Sequence, residues 1–231
     1  MLTKKQNQEK IKNISTHLKS KNKILFITTS NRWGKEMPKS AKLAEKLALE
    51  LGDKVRIIDA SALRIYPCEG NISSKSGNHC GTIDCRLNNK KKNPSSHHRC
   101  WASINNPDDQ LWQITKELLA SDCVIFFGSV RWGQMNSIYQ KLIERLTWLE
   151  NRHATLGENN VLEKIEAGII VLGHNWRTQE VLSVQKQVLK FYGFKVLPVL
   201  CWSWQYTQDS NQEGLESYYS ATKEFNEFFL N

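Results

Sequence analysis

The stretch Cys123-Val-Ile-Phe-Phe-Gly-Ser-Val-Arg-Trp-Gly-Gln134 decides the fold class. Its first half is an unbroken apolar run rich in β-branched and aromatic residues, the pattern of a strand buried on both faces. A Ser/Gly/Trp loop follows, and from Asn136 onward Ile138, Leu142, Leu146 and Leu149 recur at helical spacing. The same junction occurs earlier, in Lys23-Ile-Leu-Phe-Ile-Thr-Thr-Ser-Asn-Arg-Trp-Gly34, with a helical pattern from about Pro38. A strand that feeds a helix aims the helix's unpaired N–H groups at the strand's carboxyl end. Ligands of open α/β sheets bind at that end, and anions are favoured there. Two such loops predict one crevice for a phosphorylated, planar ligand.

Outward from these junctions the elements alternate. Further strands are expected at 54–59, 167–173 and 195–201, besides the two at 23–29 and 123–128. Helices are expected at 38–51, 136–151, 178–192 and 213–230. Another should start with Asn106 as cap and Pro107 at its first position, with Asp108 and Asp109 in the first turn. This alternation predicts a three-layer α/β fold, a doubly wound parallel five-stranded sheet of flavodoxin-like order 2-1-3-4-5. In that order the first and third strands are neighbours whose connections diverge, so both Ser/Trp-Gly loops meet at the switch point.

The 231 residues suffice for one sizeable domain, expected over 22–231, with a long irregular insert at 64–106. Residues 1–21 read as a basic N-terminal arm or docking helix, with Ile11, Ile14 and Leu18 as a thin apolar stripe. The chain lacks both an apolar run of about 18 residues and an apolar N-terminal core, so neither a membrane span nor a signal peptide is expected. A cytoplasmic location is inferred, and the six cysteines are expected as thiols. The net charge of +9 is concentrated in residues 1–23 and 64–101. These segments are either solvated or attract anions; no zinc-finger, RNA-recognition or helix-turn-helix pattern accompanies them, so no nucleic-acid partner is expected. Eight Trp and an aromatic C-terminal helix carrying Tyr218, Phe225, Phe228 and Phe229 predict a homodimer or homotetramer.

In the first loop Ser30, Ser40, Thr28 and Thr29 offer hydroxyls, and Arg32 can bind two phosphate oxygens at once. An ordinary capped helix with a polar loop is the plain alternative. Neither a Walker sequence nor G-x-G-x-x-G is present. In the second loop, Ser129-Val130-Arg131-Trp132-Gly133, Trp132 offers a flat wall, and Gly133 allows backbone shapes that other residues resist and leaves room for a ring. Trp132 could equally be a core or interface aromatic. After the fourth strand, His174 and Asn175 could reach a ring edge.

These residues resemble the NAD(P)H-dependent FMN reductases of the flavodoxin-like fold. Ser30, Arg32 and Ser40 match that family's first loop. Ser129, Val130, Arg131, Trp132 and Gly133 match its second, with Val130 where proline is usual. Arg64-Ile-Tyr-Pro-Cys68 is similar to its segment after the second strand. The resemblance covers roughly residues 22–201. It implies FMN as cofactor, NADPH or NADH as hydride donor, and a small-molecule acceptor such as a flavin or quinone. The flavin performs the chemistry, so no protein acid or base is implied. The competing readings are an FMN-binding electron carrier without NAD(P)H activity, and a metal- or nucleic-acid-binding module using the insert.

That insert holds Cys68, Cys80, Cys85 and Cys100 with His79, His97 and His98. These are zinc-type ligands, yet their spacing lacks the C-x₂-C pairing of common zinc modules. A metal-free lid or subunit contact beside the crevice is the expectation, and Cys123 and Cys201 are expected in the core.

Overall fold

The alternating apolar runs become a parallel sheet wrapped by helices. A computed structural model describes residues 3–32, 36–70, 80–212 and 214–230; Trp33, Gly34 and His79 lie outside them. The elements are α1 (Lys4–Leu18), β1 (Ile24–Thr28), α2 (Lys39–Leu51), β2 (Val55–Asp59), α3 (Trp101–Asn105), α4 (Leu111–Leu118), β3 (Cys123–Arg131), β4 (Gln134–Met135), α5 (Ser137–Arg145), α6 (Thr147–Ala154), β5 (Glu166–Gly173), α7 (Thr178–Phe191), β6 (Lys195–Gln205) and α8 (Leu215–Phe229). The sheet order is β2-β1-β3-β5-β6, with every neighbouring pair parallel, and β4 pairs antiparallel with the end of β3. Apart from the added β4, this is the expected flavodoxin-like order.

Side chains alternate across the sheet, and both faces are covered. Ile24, Phe26, Ile125, Phe127 and Ile170 pack with α1, α2 and α8. Leu25, Ile27, Val124, Phe126 and Ile169 pack with α4, α5, α6 and α7. The basic N-terminal segment contributes to the first of these layers. Its helix starts with a capping box between Thr3 and Gln6, buries Ile14 and Leu18 completely, and accepts a 2.8 Å hydrogen bond from Trp202 Nε1 on Asn7 Oδ1. Phe225 and Phe229 of α8 are also buried, against Trp202 and Trp204. Much of the aromatic surface that suggested an assembly is therefore consumed inside one chain.

Three expectations are corrected. The segment from Asn106 to Gln110 is a turn, and the helix begins at Leu111. Asp109 is not in the first turn of the helix. It is buried, receives both guanidinium nitrogens of Arg145 at 2.8 and 3.0 Å, and accepts the Leu111 N–H at 3.1 Å. The expected helix 136–151 breaks at Leu146, whose N–H bonds to Leu142 and Ile143 together, a tightening that starts α6 as a separate helix. Strand β3 does not pass directly into a helix. It runs on to Arg131 and folds back as a hairpin into β4, because Trp132 and Gly133 both adopt positive φ.

The described part of the insert is anchored by buried arginines. Arg145 donates to the Tyr66 carbonyl at 2.7 Å and to Ser103 Oγ at 2.9 Å, while Arg152 binds Glu158 and the His97 carbonyl. These arginines of α5 and α6 tie the described part of 64–106 against those helices. Cys80, Cys85 and Cys100 are buried there, as Cys123 and Cys201 are in the sheet. Burial, followed by the neighbouring Cys100, Cys85 and Cys68, pushes the Cys80 thiol up to about 12. Among the described residues no group of three or more His, Cys, Asp and Glu is arranged to hold a metal ion. Among the same residues no helix is long and apolar enough to cross a membrane.

Candidate ligand crevice at the carboxyl ends of the first and third strands

The two loops are stitched together by side chains. Thr29 donates from both its backbone N–H and its hydroxyl to the Phe127 carbonyl, each at 3.0 Å. Asn136 caps α5 through its side-chain oxygen at Tyr139 N, 3.1 Å, and donates from Nδ2 to Thr29 Oγ1, also 3.1 Å. Gly128 makes this approach possible: a Cβ there would lie 2.3 Å from Met135 Cε and 2.9 Å from Thr29 Oγ1. The sequence reading placed the need for glycine at Gly133. At Gly133 the expected backbone freedom is used, with a φ of +71° in the hairpin turn, and the nearest atoms to a Cβ there would be Trp176 and Arg177 side-chain atoms at 3.4 Å.

Above the stitched strands lies a cavity of about 70 Å³. Of the expected site residues, Ser30, Arg32, Ser40, Ser129, Val130, Arg131 and His174 line it; Trp132, Gly133 and Asn175 do not. Trp132 is 94% exposed at the hairpin tip, and Asn175 donates to the Ser210 carbonyl at 2.8 Å. No described residue of the insert is in the lining.

Three serine hydroxyls cross the cavity floor as a relay. Ser40 Oγ donates to Ser30 Oγ at 3.0 Å, and Ser30 Oγ donates to Ser129 Oγ at 3.1 Å. Ser40 and Ser30 are buried. Ser40 is the second residue of α2, whose capping position is Pro38, a residue with no side-chain hydrogen-bonding group; among the described residues no side chain caps this helix. Its first N–H groups and positive dipole end therefore face the cavity.

Two cations complete the cradle. Lys39 lies with little exposed side chain, and its ammonium is held below the usual lysine value by burial, then by the nearby Lys42 and Arg32, with Glu36 opposing. Arg32 pairs with Glu36 at 3.1 Å and lies over the Tyr218 ring, 5.4 Å from its centroid. Hydroxyls, helix N–H groups and two crowded cations are groups that favour an anion.

The far wall is aromatic and was missed in the sequence. Tyr206 from just past β6 and Tyr218 from α8 both line the cavity, and His174 meets Tyr218 edge-on at 5.5 Å. Burial raises the Tyr206 phenol above its ordinary value. Tyr218 was read as part of the apolar face of the last helix. Nothing in its local pattern distinguishes a residue over the crevice from one in the core.

No protein-family model matches the chain, and no curated protein matches its sequence. Solved structures do match its shape. The crystal structure of RosB with bound intermediate OHC-RP (8-demethyl-8-formylriboflavin-5'-phosphate) superposes with a TM-score of 0.55 at 13% identity, covering 90% of this chain and 74% of that one. An azoreductase from Bacillus anthracis str. Sterne gives 0.52 at 12% identity, covering 90% and 97%. Smu.1420 from Streptococcus mutans UA159 gives 0.52 at 13%, covering 90% and 100%. The chain shares the flavodoxin-like fold of these proteins.

Proposed function

We propose that the chain is an FMN-dependent oxidoreductase that takes hydride from NADPH or NADH and passes electrons to a small acceptor such as a flavin or quinone. The observation that carries this reading is the anion cradle at the switch point: Ser40, Ser30 and Ser129 in relay, the open start of α2, and Arg32 with Lys39. The donor set fits a terminal phosphate, and the absence of an adenosine-type glycine motif favours FMN over FAD. The cavity's 70 Å³ suits a head group, whereas whole-ligand pockets measure roughly 300 Å³ or more. The remainder of the ligand then lies toward the rim. RosB, of the same fold, binds a riboflavin 5'-phosphate derivative, and another protein of this fold is named an azoreductase.

In this reading Arg32 leaves Glu36 to clamp the phosphate, and Ser40 with the first turn of α2 donates hydrogen bonds to it. Lys39, crowded by Lys42 and Arg32 and offset only by Glu36 at 4.0 Å, gains a further counter-charge. Ser129, Val130, Arg131 and His174 border the ring edge, with Trp132, Gly133 and Asn175 on the outer rim. The bound flavin would supply the hydride chemistry. An absorption spectrum of the purified protein with FMN titration tests the reading, followed by anaerobic addition of NADPH. Arg32→Ala should weaken FMN by about 1.5–3 kcal/mol, the worth of a charged hydrogen bond. A protein without affinity for oxidised or reduced FMN refutes it. A stable complex that neither NADPH nor NADH bleaches points to an electron carrier.

A further inference from the structure

We propose that the rim formed by Trp132 and the Trp176–Arg177 pair is the docking ledge for the exchangeable ligand of the crevice, a phosphate-bearing planar dinucleotide. This rests on the flavin reading above. Among the described residues, three that are not glycine have positive φ, and two of them, Trp132 at 50° and Arg177 at 55°, are neighbours here. The backbone region they occupy is disfavoured for any residue with a Cβ, and such strain gathers where ligands are held. The hairpin turn wants Asn or Gly at the Trp132 position. The chain instead puts there the most exposed large apolar side chain among the described residues, 94% in solvent.

The ledge is flat and cationic. The Arg177 guanidinium lies 4.5 Å from the Trp176 ring centroid, and Trp176 is itself 44% exposed. Arg131, which precedes Trp132, is exposed as well. Glu180 in the first turn of α7 is the acidic residue of that helix start, so the guanidinium groups outnumber it. Indole faces stack with a nucleotide base, and guanidinium groups pair with its phosphates. The ledge also continues the site: Ser129, Val130 and Arg131 line the cavity and lead into Trp132, while Gly173 and His174 line it and lead into Trp176. The cavity floor holds buried hydroxyls, which suit a ligand that stays. The ledge is open, which suits a ligand that must leave after each turnover.

The test saturates each protein with FMN, checked by its spectrum, and titrates it with NADP⁺, which binds without reacting, by calorimetry. Trp132→Ala should weaken NADP⁺ about tenfold or more, and Trp132→Phe should keep most of the affinity. Arg177→Gln should weaken it and flatten its salt dependence. Unchanged NADP⁺ affinity in both Trp132→Ala and Arg177→Gln overturns the proposal. So does a Trp132→Ala protein that loses FMN while binding NADP⁺ as before, because the ledge would then serve the resident ring. A wild-type chain that never takes up FMN removes the underlying reading first, and the spectrum separates that result from failure of the ledge.

Discussion

Acidification from pH 7.5 to pH 5 should destabilise the protein by about 2 kcal/mol through a single side chain, His98. This imidazole is buried between α4 and the insert, with Nδ1 2.6 Å from Thr115 Oγ1, Nε2 2.9 Å from Ser103 Oγ, and the Trp148 ring alongside. Burial, reinforced by the Arg145 guanidinium and opposed by Asp109, lowers its pKa to about 3. The ordinary value is 6.5. Above 6.5 neither the folded nor the unfolded chain holds a proton here, and the site leaves stability unaffected by pH. Below 6.5 the unfolded chain takes up a proton that the folded chain refuses until about pH 3. Stability therefore falls with falling pH across that window, by about 1.4 kcal/mol per unit. From 6.5 to 5 the loss is about 2 kcal/mol. The assay is urea unfolding of the wild type and of His98→Gln at both pH values. The variant starts weaker, but it should lose about 2 kcal/mol less than the wild type on acidification. Carboxylates such as Glu166, lowered to about 2 although burial opposes this, by Lys21, His17 and Lys195, act equally in both proteins and cancel. An equal loss in wild type and variant would refute the reasoning.

Two other outcomes follow from the packing. Ile14→Ala should cost roughly 2–5 kcal/mol in chemical denaturation, the range for emptying a core site, because α1 is part of the sheet's cover rather than a loose arm; a negligible cost would mean that it is not. Arg145→Ala should cost about 3–5 kcal/mol and expose the insert to limited proteolysis, since it leaves Asp109 charged and buried without its partner; unchanged protease resistance would show that the insert is held by something else.

The strands and their order were legible because both rest on local pattern. Apolar runs such as Ile24–Thr28 and Cys123–Phe127, spaced by amphipathic helices, admit few arrangements other than a doubly wound sheet. The hydroxyls of Ser30 and Ser40 were legible too, because a helix start after a strand has a fixed relation to the sheet edge. Other features needed the third dimension. Whether 1–21 was arm or helix depended on a groove beside β6 that receives Ile14 and Leu18. Asp109 looked like a first-turn acid until Arg145, 36 positions later, met it in the core. The hairpin at Trp132 required positive φ at a residue whose type argues against it, which propensity does not reveal. Tyr206 reaches the crevice from the end of β6 and Tyr218 from α8, so no spacing along the chain marks them. The sequence by itself determined the sheet, its switch point and a first loop rich in hydroxyls, since each depends on near neighbours along the chain. Tertiary structure alone decided which side chains wall the cavity and which stand on its rim, because those contacts join segments far apart in sequence.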